Sequence, residues 1–111
     1  MTYYERRDLA RFAEVGDLAP ELMERFFEYY NSVTGSEGAL TTREKALIAL
    51  AVAHSKQCPY CIDAYTTQCL ETGADAEQMT EAIHVAAAME AGMVLVHGVQ
   101  MRSHLKNKGV I

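Results

Sequence analysis

Apolar residues recur at helical spacing along most of the chain, and no segment alternates apolar and polar residues as a half-buried strand does. The spacing predicts a first helix over residues 4–14, followed by a break at Gly16. A second helix is predicted from near Pro20 to Val33, because proline suits the first turn of a helix. The small and polar residues 34–38 predict a loop. The first third of the chain is therefore expected to form two helices.

The clearest helix start lies at Thr41, because Thr41 and Glu44 have the spacing of a capping box. The helix that follows is predicted over residues 42–55. Its segment 46–53 is apolar on nearly every face, which is typical of a helix buried on all sides. Such a helix in so short a chain indicates the interior of a bundle or of an oligomer.

Three more helices are predicted after this one. They run from the Cys58–Cys61 segment to about Glu71, from Ala76 to about Glu90, and from a turn or kink at Gly92 to Leu105. Gly73 is the kind of residue that ends a helix, so the first of these helices is predicted to end there. Asp75 is predicted to be the N-cap of the second. Sixteen alanines against eight valines and four isoleucines also favour helices over sheet. We predict an all-α fold in a single domain, residues 1–111.

Charge and the length of the apolar runs restrict the expected partners. The chain has 111 residues, with 10 Lys and Arg against 15 Asp and Glu, and it has no long basic run. Nucleic acid and anionic membrane surfaces are therefore not expected to bind it. Residues 1–11 lack the apolar stretch of a signal peptide, and the most apolar run, 46–53, is too short to span a bilayer. A cytoplasmic location is the expectation.

The chemistry of the chain is expected at Cys58-Pro-Tyr-Cys61. Unpaired amides and the positive end of the helix dipole acidify a cysteine at a helix N-terminus, which favours Cys58 as the more acidic thiol. Pro59 fixes the backbone for the first helical turn. Sulfurs three residues apart can form a small, reversible disulfide. The pair therefore suits dithiol–disulfide cycling, which needs no cofactor.

Two other interpretations of the cysteine pair compete with this one. A zinc site needs two further ligands, and the nearby candidates are His54 and Cys69. Cys69 lies two turns further along the same helix, too far to share one ion, so no bound metal is expected. Both cysteines could instead be inert core residues. Their place at a helix start favours the redox interpretation, whereas Cys69 alone is predicted to have no chemical role.

The order of several elements resembles a known family. Residues 40–53 (LTTREKALIALAVA), then 58–65 (CPYCIDAY), then Gly73 and an alanine-rich helix are similar to the carboxymuconolactone decarboxylase superfamily, in its alkylhydroperoxidase D-like branch. The similarity covers about residues 20–105. The start of the chain and residues 96–101 also resemble the peroxidase-like proteins associated with arsenosugar biosynthesis.

The resemblance implies an all-helical fold that assembles as a homotrimer or homohexamer. It also implies a thiol peroxidase, with a hydroperoxide substrate and a dithiol reductant that is a protein or a small molecule. In that family the second cysteine attacks the peroxide and the first resolves it. Carried over to this chain, Cys61 is peroxidatic and Cys58 is resolving, whereas the helix-dipole argument favours Cys58 as the more acidic thiol. For the attack on peroxide we follow the family order, and the reaction of Cys58 with the external reductant stays open.

Two positions depart from the family motif. The family has a histidine four residues after the second cysteine and a glutamate twelve residues before the first, and here those positions are Tyr65 and Ala46. Tyr65 could donate a hydrogen bond to the Cys61 sulfur, or it could be a buried tyrosine bonded to a carbonyl. In the family the histidine and the glutamate form a proton relay, which this chain lacks at those positions. His84 and Glu81, one turn apart, could replace that relay, or they could be a solvated pair.

Two functional classes therefore stay open. One is an enzyme, a thiol peroxidase or disulfide oxidoreductase that uses Cys58 and Cys61. The other is a non-catalytic module whose paired thiolates bind a soft ion such as trivalent arsenic. The missing relay favours the second class, and the cysteine pair at a helix start suits both. A decarboxylase is disfavoured, because the lactone-decarboxylating relatives do not depend on a cysteine pair.

Overall fold

A computed structural model describes residues 5–111, and within that range it contains helices and turns but no strand. The elements are a 3₁₀ helix (Arg6–Gly16), α1 (Pro20–Thr34), α2 (Thr42–Ser55), α3 (Pro59–Glu71), α4 (Ala76–Val96) and α5 (Gly98–Asn107). The all-α prediction is confirmed. The predictions that concern residues 1–4 lie outside the described residues.

α2 is the central helix, and it packs against both α3 and α4. Its capping box forms as predicted: the Glu44 amide donates to the Thr41 hydroxyl at 3.1 Å, and the Thr41 amide donates to the Glu44 carboxylate at 2.9 Å. The buried core consists of Ala46, Leu50, Cys69 and Ala74, with Leu47, Tyr65 and Met79 packed against it. The core therefore lies where α2 meets α3 and the start of α4.

The opposite face of α2 is not covered within one chain. Ile48 and Val52 keep 51% and 54% of their surface exposed. The sequence predicts a helix buried on all sides, so the single chain accounts for only part of that burial. The remaining apolar surface of α2 is exposed in the single chain.

The N-terminal 3₁₀ helix packs on α1 and reaches across to α3. The Phe12 ring lies 6.0 Å from the Phe26 ring and 5.3 Å from the Phe27 ring, centroid to centroid. The Arg6 Nε lies 3.2 Å from the Asp63 Oδ2 on α3. A helix is thus present where the sequence predicts one, with the tighter 3₁₀ geometry. Runs of 3₁₀ helix this long are uncommon, and these tertiary contacts hold this one in place.

The prediction of a turn at Gly92 is wrong. α4 continues from Ala76 to Val96, and the turn comes at His97 instead. A single glycine costs a helix only about 1 kcal/mol relative to alanine, and the alanine and methionine residues around Gly92 are good helix formers. At the other end of α4 the prediction is confirmed, because Asp75 is the N-cap and forms a capping box with Gln78.

α4 and α5 extend well beyond the core. The chain measures 58 × 37 × 33 Å and has a radius of gyration of 19.2 Å, against ~13 Å for a compact chain of this length. Several large apolar side chains on these two helices are more than half exposed: Val85, Met89, Met93, Val94, Leu95, Val96, Val99 and Met101. We call these residues the α4–α5 apolar face. Large exposed apolar surfaces are typical of sites that bind a protein or a membrane.

The helical stretch Ala76–Asn107 is also long and apolar enough, by length and composition, to cross a membrane. The sequence-based expectation of no membrane span considered only the longest unbroken apolar run, residues 46–53, and overlooked this stretch. Interior helices of soluble assemblies meet the same criterion, so composition alone does not choose between a membrane and a protein partner.

Candidate functional site

The chain turns sharply between α2 and α3 and so places the two cysteines at the start of α3. Gln57 takes a left-handed φ of 54° in this turn. The Cys58 amide then donates to the Ala53 carbonyl at 2.9 Å, which fixes Cys58 against the end of α2. Cys58 is the N-cap of α3, and Pro59 occupies its first turn. This local geometry is the one that the sequence predicts.

The two sulfur atoms face each other across 3.0 Å. The Cys61 amide also donates to the Cys58 sulfur at 3.4 Å, as expected for a residue at an N-cap. Hydrogen bonds from the Cys61 thiol and amide lower the pKa of Cys58. Burial, together with donation to Cys58, raises the pKa of Cys61 to about 11. Of the two thiols, Cys58 is therefore the one that ionises more readily, and Cys61 is the one that keeps its proton.

This electrostatic arrangement agrees with the helix-dipole argument and not with the order of reactivity carried over from the family. The family order needs Cys61 to be the readily ionised thiol. In this chain Cys61 is the more deeply placed sulfur and donates its proton, whereas Cys58 sits at the positive end of α3. Cys69 takes no part in the pair, since it is fully buried in the core and burial raises its pKa.

A cavity of about 620 Å³ opens onto both sulfurs. Its described lining comes from two places, the N-terminal 3₁₀ helix and the start of α3, and consists of Asp8, Leu9, Arg11, Phe12, Glu14, Val15, Cys58, Tyr60 and Cys61. Both cysteines are half-buried and reach this cavity. A reactant that enters from solvent can therefore reach the dithiol. The sequence analysis did not identify this cavity, because its walls are distant in sequence.

A second, smaller cavity of about 210 Å³ lies beside the two positions that depart from the family motif. Ala46 and Tyr65 both line it, together with Tyr30 of α1 and polar residues such as Lys45 and Gln68. Ala46 is buried, with 3% of its surface exposed. The short alanine side chain thus leaves open space at the position where the family has a glutamate.

Tyr65 lines this cavity but does not bond to the site cysteine. Among the hydrogen bonds of residues 5–111, none joins the Tyr65 hydroxyl to the Cys61 sulfur. A different tyrosine, Tyr30, interacts electrostatically with Cys61. Burial raises the pKa of Tyr30, and the charge of a Cys61 thiolate raises it further. The sequence analysis did not identify Tyr30 as part of the site, since nothing local links it to α3.

His84 and Glu81 lie away from the cysteines within the single chain. Both are exposed, and they line a separate depression on α4 with Ala76, Glu77 and Thr80. No residue of that depression lines the cysteine cavity among the described residues. The geometry therefore matches the solvated pair that the sequence analysis gave as the alternative to a relay.

The described residues offer few ligands for a metal ion. Across residues 5–111, no group of three or more His, Cys, Asp or Glu side chains is arranged to hold one. The Nδ1 of His54 lies 2.9 Å from the Leu50 carbonyl oxygen, which occupies that nitrogen. The cysteine pair alone provides two sulfur ligands.

Comparison with known proteins gives consistent matches. The sequence profile of the Carboxymuconolactone decarboxylase family matches residues 20–101. "Uncharacterized protein 4 in cox locus" of Paracoccus denitrificans is 48% identical over 67 residues, which cover 60% of each chain. An uncharacterized protein of Cupriavidus necator is 32% identical over 82 residues, covering 74% of this chain and 72% of the relative. This chain thus spans 60% of the length of the Paracoccus protein.

A solved structure has the same fold. It is the apo form of a carboxymuconolactone decarboxylase family protein from Legionella pneumophila, with a TM-score of 0.67 and 33% sequence identity. The superposition covers 76% of this chain and 75% of the Legionella chain. The matched profile begins at residue 20, so the 3₁₀ helix that lines the cysteine cavity precedes it.

Proposed function

Because the chain belongs to the carboxymuconolactone decarboxylase family, we propose that it is a dithiol peroxidase in which Cys58 and Cys61 reduce a hydroperoxide. The observation that carries the proposal is the pair of sulfurs 3.0 Å apart at the start of α3. The dithiol faces a cavity of about 620 Å³ that a reactant can enter. The alkylhydroperoxidase D-like branch of the family, which carries a Cys-x-x-Cys, is part of the proposal.

The Cys58 thiolate is the nucleophile in this proposal. It attacks the terminal oxygen of the hydroperoxide, the O–O bond breaks, and the oxygen remains on Cys58 as a sulfenic acid. The alkoxide that leaves takes the proton of the Cys61 thiol and becomes an alcohol. The Cys61 thiolate then attacks the Cys58 sulfur, and hydroxide leaves and takes a proton from solvent to become water. One hydroperoxide is reduced, and two thiols are oxidised to one disulfide.

An external dithiol completes the cycle. Its thiolate attacks the Cys58–Cys61 disulfide and forms a mixed disulfide, and its second thiol then closes a disulfide within the reductant. Both site cysteines return to the reduced state. The dithiol can be a protein or a small molecule, since both sulfurs reach the open cavity.

Cys58 is preferred over Cys61 for the first attack because its thiolate is stabilised at three points. Once ionised, it can accept from the Cys61 thiol 3.0 Å away, it accepts from the Cys61 amide at 3.4 Å, and it lies at the N-terminus of α3. In the family, a glutamate and a histidine favour ionisation of the second cysteine. Here Ala46 and Tyr65 occupy those positions, so that route to a Cys61 thiolate is missing.

The experiment is steady-state consumption of cumene hydroperoxide with dithiothreitol as reductant. Wild type and the control Cys69→Ala are expected to consume peroxide faster than dithiothreitol alone. Cys58→Ser is expected to lose that activity, because it lacks the nucleophile. Cys61→Ser is expected to be slower than wild type, because dithiothreitol must then reduce the Cys58 sulfenic acid directly. If wild type and both serine variants are equally slow, the peroxidase proposal fails. The non-catalytic alternative then predicts that wild type binds arsenite while both serine variants do not.

We also propose that other copies of this chain cover the α4–α5 apolar face, in a homotrimer or homohexamer. The exposed side of α2 extends this apolar surface, since Ile48 and Val52 are half exposed. The one acidic residue near the middle of the face, Glu90, turns toward α2 and accepts a hydrogen bond from the Ser55 hydroxyl at 3.1 Å. Packing against other copies would complete the burial that the sequence of α2 predicts.

A further inference from the structure

The N-terminal 3₁₀ helix supplies six of the nine described residues that line the cysteine cavity. This helix spans Arg6–Gly16 and lies outside residues 20–101, the part of the chain that matches the family. We infer that this helix sets the substrate preference of the site, because its apolar side chains favour a bulky hydrocarbon group and its charged side chains disfavour an anionic one. The inference rests on the proposed peroxidase function and names the element that determines specificity at that same site.

Two sets of contacts hold the helix over the dithiol. The Arg6 guanidinium pairs with Asp63, two residues after Cys61 on α3, with the Nε 3.2 Å from the carboxylate. Phe12 packs edge-on against Phe27 of α1, with ring centroids 5.3 Å apart. The helix is therefore attached both to the element that carries the cysteines and to its own neighbour, and it forms a fixed wall of the cavity.

The wall that faces the sulfurs is mainly apolar. Leu9, Phe12 and Val15 of the 3₁₀ helix line the cavity, and so does Tyr60, which lies between the two cysteines in the sequence. A volume of about 620 Å³ falls within the range of small-molecule sites. Hydrogen peroxide would leave most of this volume filled with water, whereas an aryl or branched alkyl group would displace that water from apolar side chains.

The charges at the rim disfavour an anionic substrate. The described lining contains one cation, Arg11, and two carboxylates, Asp8 and Glu14. The Arg11 Nε lies 2.9 Å from the Glu14 carboxylate, and its Nη1 lies 3.5 Å from the Asp8 carboxylate. The guanidinium is thus already paired twice, and the three side chains together carry a net negative charge. A hydroperoxide with its own carboxylate meets repulsion here, whereas a neutral one does not.

The test compares three substrates: cumene hydroperoxide, hydrogen peroxide and the hydroperoxide of linoleic acid. Wild type is expected to show its highest kcat/KM with cumene hydroperoxide. Phe12→Ala removes part of the apolar wall, and Val15→Asp places a carboxylate in it at a position that is 74% exposed, where folding tolerates the change. Each variant is expected to lower the ratio of kcat/KM for cumene hydroperoxide over hydrogen peroxide by about tenfold.

Arg7→Ala is the matched control. Arg7 lies on the same 3₁₀ helix, its side chain is 82% exposed, and it does not line the cavity. It is expected to leave the substrate ratio unchanged. Circular dichroism of each variant checks that the helices are retained, and Val15→Asp keeps the test decisive if Phe12→Ala unfolds.

The possible results separate this inference from the proposed function. If wild type consumes no hydroperoxide, the proposed function fails and the inference fails with it. If wild type is active but the ratio stays the same in both wall variants, only the specificity inference is overturned. The variants could instead change only the KM for dithiothreitol and leave the ratio of kcat/KM for the two peroxides unchanged. That result would assign the cavity to the reductant and would also overturn the specificity inference.

Discussion

The sulfur atoms of Cys58 and Cys61 lie 3.0 Å apart, so an ionised Cys58 can accept a hydrogen bond from the Cys61 thiol, and the Cys61 backbone amide donates to the Cys58 sulfur across 3.4 Å. Each donor favours the ionised form of Cys58, because a thiolate accepts hydrogen bonds more strongly than a neutral thiol does. The same contact opposes ionisation of Cys61, which would lose its donated bond and place a second charge beside the first. The pair is thus asymmetric before any substrate arrives.

The first prediction concerns the pH dependence of alkylation. The pKa of Cys58 lies below its usual value of 9.0, so the rate of reaction with iodoacetamide rises with pH and has its midpoint below pH 9. Cys61→Ala removes the thiol donor. A hydrogen bond to a charged group is worth about 1.5 kcal/mol, so the midpoint should move up by about one pH unit.

Cys61→Ser is the matched control for this measurement, because its hydroxyl can still donate to Cys58. Its midpoint is expected between those of wild type and Cys61→Ala. Quantitative mass spectrometry should find the label first on Cys58 in the wild-type protein. Equal midpoints in all three proteins would show that Cys61 does not stabilise the Cys58 thiolate.

The second prediction concerns the positions that depart from the family motif. Because no hydrogen bond joins Tyr65 to Cys61 in the described structure, Tyr65→Phe should change the rate of peroxide reduction by less than about twofold. The double variant Ala46→Glu/Tyr65→His places an acid and a histidine beside the cavity of about 210 Å³. It is expected to lower the pKa of Cys61 and to move the first site of alkylation from Cys58 toward Cys61.

Each single variant is the control for the double variant. Tyr65→His alone should have a modest effect, since no carboxylate supports it, and Ala46→Glu alone buries an acid without a partner. The readout is the ratio of label on Cys61 to label on Cys58 at fixed pH. A ratio that does not change in the double variant contradicts the role assigned to these two positions.

The third prediction concerns stability at low pH. Hydrogen bonds from Thr41 lower the pKa of Glu44 below 4.5 in the folded protein. A carboxyl group whose pKa is lower in the folded state stabilises the fold above its unfolded pKa, and this contribution is lost as pH falls through the folded value. Glu44→Gln removes the titration but keeps a side chain that can accept from the Thr41 amide.

The measurement is the urea midpoint at pH 6 and at pH 3, at one fixed protein concentration because assembly also affects stability. The difference between wild type and Glu44→Gln should shrink from pH 6 to pH 3, because the contribution of the ionised carboxylate is progressively lost below the unfolded pKa. A difference that is the same at both pH values would contradict the assigned role of the Glu44 carboxylate in the capping box.

The fourth prediction concerns assembly. In sedimentation velocity without detergent, wild type is expected to run as a trimer or hexamer. Leu95→Asp places a charge on the α4–α5 apolar face, where Leu95 is 76% exposed in the single chain, and should shift the protein toward smaller species. Ser103→Asp, at an exposed polar position of α5, is the control and should leave the assembly unchanged.

Two other results would contradict assembly through this face. A folded monomer at micromolar concentration would show that the apolar face needs no second copy. A protein that stays in solution only with detergent and partitions into lipid vesicles would instead assign the stretch Ala76–Asn107 to a membrane.

The helix starts could be predicted because their signals are local. Thr41 with Glu44, Asp75, and Pro59 after Cys58 each act within one turn, and the structure places the caps where the sequence predicts them. Gly92 shows the limit of such signals, because one unfavourable residue does not end a helix whose neighbours favour it.

The site needed more than local signals. The cysteine pair and the acidity of Cys58 follow from the sequence alone, since both depend on the first turn of α3. The cavity wall does not, because the pairing of Arg6 with Asp63 and the contact between Phe12 and Phe27 join segments distant in the chain. The electrostatic link between Tyr30 and Cys61 is missed for the same reason.

The dithiol cycle is tested most directly by a single turnover without reductant. Reduced protein is mixed with one equivalent of cumene hydroperoxide, quenched by acid and mapped by peptide mass spectrometry. The predicted result is one Cys58–Cys61 disulfide per hydroperoxide consumed, with Cys69 still a free thiol, and in Cys61→Ser a sulfenic acid trapped on Cys58. Peroxide that survives unreduced, or oxidation that spares this pair, would contradict the dithiol cycle.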